Sequence, residues 1–132
     1  MNVFISYSQA DEKWAEALRA GLVEAGFSVS DPAGEICAGE NLHLELGKAL
    51  QRADAMVVLL SPDSAASTSV RAEIDYALSS PQFRDRLIPV LVKPTGDIPW
   101  ILRRQQFIRA TKDVRETVRR VAGALNASHA AA

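Results

Sequence analysis

The sequence is poor in the residues that build disulfide frameworks and metal centres. Its 132 residues include a single cysteine, Cys37, and two histidines, His43 and His129. One thiol cannot close an internal disulfide, and three such residues cannot assemble a metal cluster from Cys and His. We therefore expect no disulfide framework and no metal site, and we interpret Cys37 as an incidental thiol in a loop.

Two other kinds of segment are also missing. No apolar run approaches the roughly 18 residues of a membrane span, and the opening residues MNVFISYS lack the basic segment and long apolar core of a secretion signal. Neither GxGxxG after the first apolar segment nor GxxxxGKS/T anywhere occurs, which excludes the usual glycine-rich phosphate loops. We expect a cytoplasmic protein without a membrane partner.

The net charge is only −1, but the two signs are separated along the chain. Residues 1–80 hold five Lys and Arg against twelve Asp and Glu, whereas residues 81–120 hold ten against four. These charges either coat solvated faces or support head-to-tail self-association, in which an acidic surface meets a basic one and builds an open filament. Nucleic acid is not expected as a partner, because the late arginines are not interleaved with stacking aromatics and the whole chain is not basic.

What the sequence does contain is the composition of one globular domain, with 48% hydrophobic and 23% charged residues. Residues 56–60, MVVLL, form an unbroken apolar run, the pattern of a strand buried on both faces of a parallel sheet. Shorter apolar segments predict further strands at 3–6, 27–30, 87–92 and 106–108. Pro89 cannot donate to a ladder, so we expect its strand to be partly unpaired or near an edge.

Helical periodicity separates these strands. The stripes expected to face inward are Trp14, Leu18, Leu22 and Ala25; Leu42, Leu46, Leu50 and Ala53; Val70, Ile74 and Ala77; and Val114, Val118, Val121 and Leu125. Gly26 is expected to end the first helix in a left-handed conformation, and Thr111 to cap the last. This alternation predicts a flavodoxin-like three-layer α/β sandwich, with a central parallel sheet of about five strands and helices on both faces. We assign residues 1–126 to this single domain and residues 127–132 to a flexible C-terminal tail.

Glu73 is the leading candidate for a functional residue. It lies in the third predicted helix, roughly 60° from Val70 at about 100° per residue, on the flank of the buried stripe. Ligands of open α/β sheets collect outside the carboxyl ends of the strands, where this helix follows the central strand. The alternative is a half-exposed glutamate that pairs with a neighbouring arginine. Ser67, Thr68 and Ser69 offer hydroxyls that can cap the start of the helix.

A receiver domain that accepts a phosphoryl group has the same architecture. It needs acidic residues at the end of the first strand and an aspartate ending the third. Those places hold Ser6, Tyr7 and Ser61, so we discard that interpretation.

Six segments form an ordered set that covers about residues 2–125: VFISYS at 3–8, FSVSD ending at Asp31 with the loop through Ala38 and Gly39, VVLLSPDS at 57–64, EIDYAL at 73–78, RLIPVLV at 86–92 and IPWILRRQQFI at 98–108. Taken in order, these segments resemble a TIR domain (the Toll/interleukin-1 receptor homology domain), in particular the bacterial stand-alone or defence-associated kind. The chain departs from the family in two places. Ala38 and Gly39 stand where the loop usually reads Pro-Gly, and Ser69 stands where many NAD-cleaving members have a Trp, four residues before the glutamate.

The resemblance implies cleavage of the nicotinamide–ribose bond of NAD, with Glu73 as the catalytic residue. NAD is then the substrate, and no cofactor is needed. By motif position, Tyr7, Ser8, Asp31 and Ser69 would border the substrate. From the residues alone, Tyr7 and Ser8 could instead shape a turn, whereas for Asp31 an Asx turn and for Ser69 a helix cap are the preferred interpretations.

Two hypotheses of different class follow. The first is an NAD-cleaving enzyme that releases nicotinamide with ADP-ribose or a cyclic ADP-ribose, is activated by self-assembly, and serves bacterial immune defence or signalling. The second is a non-catalytic module that joins other TIR domains through the loop of Ala38 and Gly39 and through the basic late helix. A separate sensor or effector protein is a further expected partner.

Overall fold

The computed structural model describes residues 2–30, 42–83, 86–93 and 108–130. Within these residues the strands are β1 (Asn2–Ser6), β2 (Ser28–Ser30), β3 (Ala55–Leu60), β4 (Leu87–Leu91) and β5 (Ile108–Arg109). The helices are α1 (Glu12–Glu24), α2 (Leu42–Arg52), α3 (Pro62–Ala65), α4 (Thr68–Ser79) and α5 (Val114–Ala130). Short 3-10 helices at Gln9–Asp11 and Pro81–Phe83 precede α1 and follow α4.

The five strands form one sheet in the order β2-β1-β3-β4-β5, and every neighbouring pair is parallel. The chain runs from β1 outward to one edge, crosses back past β1 to β3, and then adds strands toward the other edge. The direction reverses between β1 and β3, and the carboxyl ends of the strands at such a point form the usual ligand crevice of an open α/β sheet. The predicted parallel α/β architecture is confirmed.

Residues of β3 alternate between two hydrophobic cores, one on each face of the sheet. Its odd-numbered residues belong to the core that includes α1 and α5, and its even-numbered residues belong to the core that includes α2 and α4. Every residue of the strand is buried. Because both faces are covered, the segment carries no polar alternation, which is why its sequence reads as an unbroken apolar run.

Strand β4 lies second from the edge, beside the two-residue β5. The Met56 N–H donates to the Arg86 carbonyl at 2.9 Å, and the Val92 N–H donates to the Leu60 carbonyl at 3.0 Å. Backbone groups of successive residues point to opposite sides of a strand, so the nitrogen of Pro89 faces β5 and not β3. The proline therefore removes no hydrogen bond between β3 and β4, and its predicted position near an edge is confirmed.

Two helix starts differ from the predictions. The Ser67 hydroxyl caps α4 by accepting from the Val70 N–H at 3.3 Å, so the preference for Ser69 as the cap was wrong. At α5, Asp113 replaces Thr111 in this role, because its Oδ1 accepts from the Arg115 N–H at 3.0 Å.

Helix α5 also differs from the prediction in its length and its buried face. It continues to Ala130, so residues 127–130, assigned above to a flexible tail, are helical. Its fully buried positions are Thr117, Val121 and Leu125, whereas Val114 is 37% exposed. Within the described part of the chain, no helix combines the length and apolar character needed to cross a membrane.

Helices α1 and α5 approach closely at Gly21. A Cβ added there would lie 2.5 Å from Val118 Cγ1, so no larger residue fits without movement. At the end of α1, Gly26 has a φ of 98°, the left-handed conformation that the sequence predicted for it.

Candidate functional site

Glu73 lies in the middle of α4 and is buried, with 8% of its surface exposed. Val70, Ile74 and Ala77 anchor the same helix in the core beside β3, and Glu73 occupies the flank of that stripe. The Ser67 cap sets where the helix begins, and the apolar stripe then sets which direction Glu73 points. The predicted placement of Glu73 is thus observed.

Two hydroxyl groups hold the Glu73 carboxylate. Ser6, at the end of β1, donates from Oγ to Oε1 at 2.7 Å, and Ser69, one turn earlier on α4, donates from Oγ to Oε2 at 3.2 Å. Ser6 is almost fully buried, with 1% exposed, whereas Ser69 is exposed. One oxygen of the carboxylate is therefore fixed by the sheet, and the other accepts from a hydroxyl that solvent reaches.

Burial raises the pKa of the Glu73 carboxyl, because a charge removed from water loses its hydration. The hydrogen bonds from Ser6 and then Ser69 favour the ionised form and offset part of this effect. Among the described residues, no cationic side chain contributes to this pKa shift. The ionised carboxylate is therefore held in a position where an additional positive charge would stabilise it.

A cavity of about 490 Å³ opens beside this carboxylate, between α2 and α4. Its described lining consists of Gly47, Leu50, Thr68, Ser69, Ala72, Glu73 and Tyr76. Apolar side chains with a few polar groups, in a volume of roughly 300–1,000 Å³, are typical of small-molecule sites. The arrangement can hold a flat or mostly apolar group next to one carboxylate.

A second polar cluster lies at the carboxyl ends of β3 and β4. Asp11 is 1% exposed, and its Oδ2 accepts a hydrogen bond of 2.5 Å from the Ser61 hydroxyl. Lys93 Nζ lies 3.3 Å from Oδ1, which receives no hydrogen bond from the described residues. Ser61 is fully buried and also caps α3 through Ser64. No substrate can reach the Ser61 hydroxyl, so we assign this cluster to joining the start of α1 to the ends of two strands.

The other predicted site residues do not all gather at the cavity. Tyr7 packs against the core that includes α1 and α5, and the Ser8 hydroxyl accepts from the Ala10 N–H at 3.4 Å as the cap of the 3-10 helix. Neither belongs to the described lining, so their contact with substrate stays a prediction. Asp31 and the loop residues Ala38 and Gly39 lie outside the described residues.

Ser6 is one residue of the site that the sequence did not predict. It is a non-acidic residue at the end of the first strand, and 67 positions separate it from Glu73. The available signal was the strand order, because a β1 beside β3 brings its last residue next to the helix that follows β3. Among the described residues, no three Asp, Glu, His or Cys side chains group as metal ligands.

A five-stranded parallel sheet with a buried glutamate at its carboxyl edge defines a doubly wound α/β domain with a ligand crevice. The model of the TIR domain family matches residues 3–125. The chain therefore belongs to the TIR domain family. No curated protein matches the sequence.

Solved structures agree with this assignment. The TIR domain of the Toll-related receptor TRR-2 from Hydra magnipapillata matches with a TM-score of 0.73 at 23% identity, over 89% of this chain and 91% of that chain. A prokaryotic SEFIR domain matches with a TM-score of 0.68 at 15% identity, over 94% and 91%. A TIR-STING receptor from C. gigas, solved with 2′,3′-cGAMP, matches with a TM-score of 0.76 at 25% identity, over 93% of this chain. The match spans only 38% of that receptor.

Proposed function

We propose that this TIR domain cleaves the nicotinamide–ribose bond of NAD, with Glu73 as the catalytic residue. The observation that carries the proposal is the buried Glu73 carboxylate, which is hydrogen-bonded to Ser6 at the end of β1 and borders a cavity of about 490 Å³ between α2 and α4. The family resemblance supplies the reaction, and the geometry of this chain supplies a group suited to it.

The chemistry of this bond requires only one carboxylate. The leaving pyridinium is already cationic and departs as neutral nicotinamide, so no general acid has to protonate it, unlike the leaving oxygen of an ordinary glycoside. As the bond breaks, positive charge develops on the ribose. A fixed negative charge in a cleft that excludes water stabilises that charge strongly, which lowers the barrier.

The environment of Glu73 fits this role. Its ionised form is held at a cost in hydration and is only partly compensated by Ser6 and Ser69. A developing positive charge within the cavity recovers the missing electrostatic stabilisation, and the effect grows as the charge grows. Ser6 keeps one carboxylate oxygen in place. The exposed Ser69 hydroxyl can give up its hydrogen bond to Oε2, so that a ribose hydroxyl donates to that oxygen instead.

The ribose cation then has to be captured. Water gives ADP-ribose, and a nitrogen of the adenine gives a cyclic ADP-ribose. We propose that self-assembly activates the reaction and that the domain serves immune defence or signalling, working with a separate sensor or effector protein. The TIR-STING receptor from C. gigas, part of which resembles this chain, was solved in complex with 2′,3′-cGAMP, which supports a signalling pathway of this kind.

The test is nicotinamide release from concentrated protein incubated with NAD, with and without a crowding agent. We expect release by the unmodified protein and a loss of at least about 100-fold in Glu73→Gln. Asp75→Asn is the matched control, because it removes one negative charge from an exposed position of the same helix. Release that survives in Glu73→Gln would remove Glu73 from the mechanism.

A non-catalytic interaction module is the second candidate, favoured by the exposed arginines of α5. Arg115 and Arg119 are exposed, and Arg120 is 53% exposed with Glu116 as its partner. Such a basic helix suits an acidic surface on another TIR domain. Light scattering over a salt series detects this association, and association without nicotinamide release under any assembling condition favours the module over the enzyme.

A further inference from the structure

We propose that Tyr76 binds the nicotinamide ring of the dinucleotide and so governs substrate affinity. This inference rests on the proposed cleavage of NAD. Tyr76 lies within the segment EIDYAL at 73–78, but the family resemblance assigns it no role.

Tyr76 and Glu73 border the same cavity from the same helix. Residues three apart on a helix are neighbours, with Cβ atoms about 5–6 Å from each other. A substrate whose ribose lies against the carboxylate therefore places its nearest substituent within reach of Tyr76.

The Tyr76 ring is held in position by a neighbouring aromatic ring. Phe83, 2% exposed, packs against it edge to face, with ring centroids 6.2 Å apart and an interplanar angle of 69°. The end of α4 is fixed as well, because the Ser80 hydroxyl donates to the Tyr76 carbonyl at 2.7 Å. A ring already fixed in this way loses little conformational entropy when a ligand packs against it.

The chemistry of the substituent matches a tyrosine. Nicotinamide is attached to the ribose carbon at which the bond breaks, and in NAD it is a flat, cationic aromatic ring. An aromatic side chain attracts such a cation through its negative face. Tyr76 is the single aromatic residue in the described lining, and the aliphatic Leu50 and Ala72 complete an apolar surface around it.

The position of the charge predicts which kinetic constant Tyr76 controls. The ring attraction is strongest while the pyridinium is positive and fades as the charge passes to the ribose. It therefore favours the bound substrate over the transition state and over the released neutral nicotinamide. Loss of such ground-state binding raises KM and does not lower kcat, whereas loss of Glu73 lowers kcat.

The first test compares Tyr76→Leu with Tyr76→Phe in the nicotinamide-release assay. We expect Tyr76→Leu to raise KM about fivefold to thirtyfold, with no fall in kcat, and Tyr76→Phe, which keeps the ring, to restore most of the affinity. A fall in kcat without a rise in KM, or an equal loss in both variants, overturns the assignment. Thermal unfolding of both variants reports whether either loses its fold.

The second test separates this inference from the proposed function. Saturation-transfer NMR with NAD is recorded on Glu73→Gln and on Glu73→Gln combined with Tyr76→Leu. We expect saturation mainly on the nicotinamide protons in the first protein and at least a fivefold decrease in the second. Saturation centred on the adenine protons, equal saturation in both proteins, or none in either overturns the assignment.

The two tests fail in different ways. Absence of nicotinamide release from the unmodified protein, together with a Tyr76-dependent nicotinamide signal, rejects the cleavage and keeps the ring contact. Nicotinamide release that depends on Glu73, together with saturation of the nicotinamide protons that does not depend on Tyr76, supports the cleavage and rejects the ring contact.

Discussion

Replacing Glu73 with glutamine should stabilise the domain at neutral pH while it removes the proposed activity. The carboxyl is buried, and burial dominates the rise of its pKa. Whenever this carboxyl is ionised, its charge is therefore less well stabilised in the folded protein than in the unfolded chain. A glutamine of the same shape carries no such charge.

The magnitude follows from the two hydroxyl contacts. Ser6 still donates to the amide oxygen, and Ser69 has a hydroxyl oxygen that accepts from the amide nitrogen, so both hydrogen bonds at Glu73 can be kept. Exchanging charged for neutral hydrogen bonds loses about 2 kcal/mol in total, while the desolvation cost of a buried carboxylate is several kcal/mol. We expect a net gain of about 1–2 kcal/mol, the usual scale for substitutions that relieve a functional site, or roughly 4–8 °C in Tm.

The gain should depend on pH with a definite sign. Because the folded-state pKa of Glu73 is raised, the unfolded chain releases its proton first as pH rises, and the stability of the native protein then decreases. Below the unfolded-state pKa, at about 4, both states carry the proton and the two proteins should be equally stable. The difference in unfolding free energy between the two proteins increases as pH rises and reaches its full value above the folded-state pKa of Glu73.

Urea unfolding followed by circular dichroism between pH 4 and pH 8 measures this difference. Asp75→Asn is the control, because the same charge is removed from an exposed position of α4, and we expect a change within about 0.5 kcal/mol. A Glu73→Gln protein that is less stable at neutral pH, or a gain that grows toward acid, would contradict the reasoning. It would mean that a cation outside the described contacts stabilises the carboxylate.

Three further predictions concern stability and are measured by the same urea titration. Gly21→Ala should cost about 1–2 kcal/mol, because overpacking against Val118 outweighs the gain in helix propensity, and adding Val118→Ala should recover most of it; no loss in the single variant argues against the close approach. Lys93→Met should cost about 1–3 kcal/mol, because it removes the positive charge that lies 3.3 Å from Oδ1 of the buried Asp11 carboxylate; high salt should not mimic it. Gln82→Leu should cost about 1–2 kcal/mol, because the amide donates to the Leu50 carbonyl in α2 at 2.8 Å and to the Ala53 carbonyl just after it at 2.9 Å; an unchanged midpoint rejects that role.

The periodicity of apolar residues and their burial explain which parts of the fold could be predicted. The apolar run of β3 and the apolar stripe beside Glu73 could be predicted because each depends only on the spacing of apolar residues within a short segment. The choice of Ser67 over Ser69 as a cap depends on where the preceding turn ends, because adjacent hydroxyls are chemically equivalent. Thr117 is not part of the predicted apolar stripe of α5, yet it is buried, and its hydroxyl donates to the Asp113 carbonyl at 3.2 Å.

The sequence predicted the residue that α4 contributes to the candidate site, Glu73, but not the residue that the sheet contributes, Ser6. Glu73 could be found because a strand, a turn and a helix lie together in the sequence. Its contact with Ser6 depends on the parallel register of β1 and β3, in which Ser6 pairs with Val58. Such a register is fixed by the packing of the whole sheet, and no local pattern records it.

The hydrogen bond from Ser6 to Glu73 also bears on the order of events during synthesis. Strand β1 leaves the ribosome before its neighbour β3, and α4 begins more than 60 residues after β1 ends. Contacts between segments so far apart in the sequence are slow to form. A nascent chain that ends before α4 therefore has no assembled Glu73 pocket, and the proposed activity is expected only after translation has passed α4.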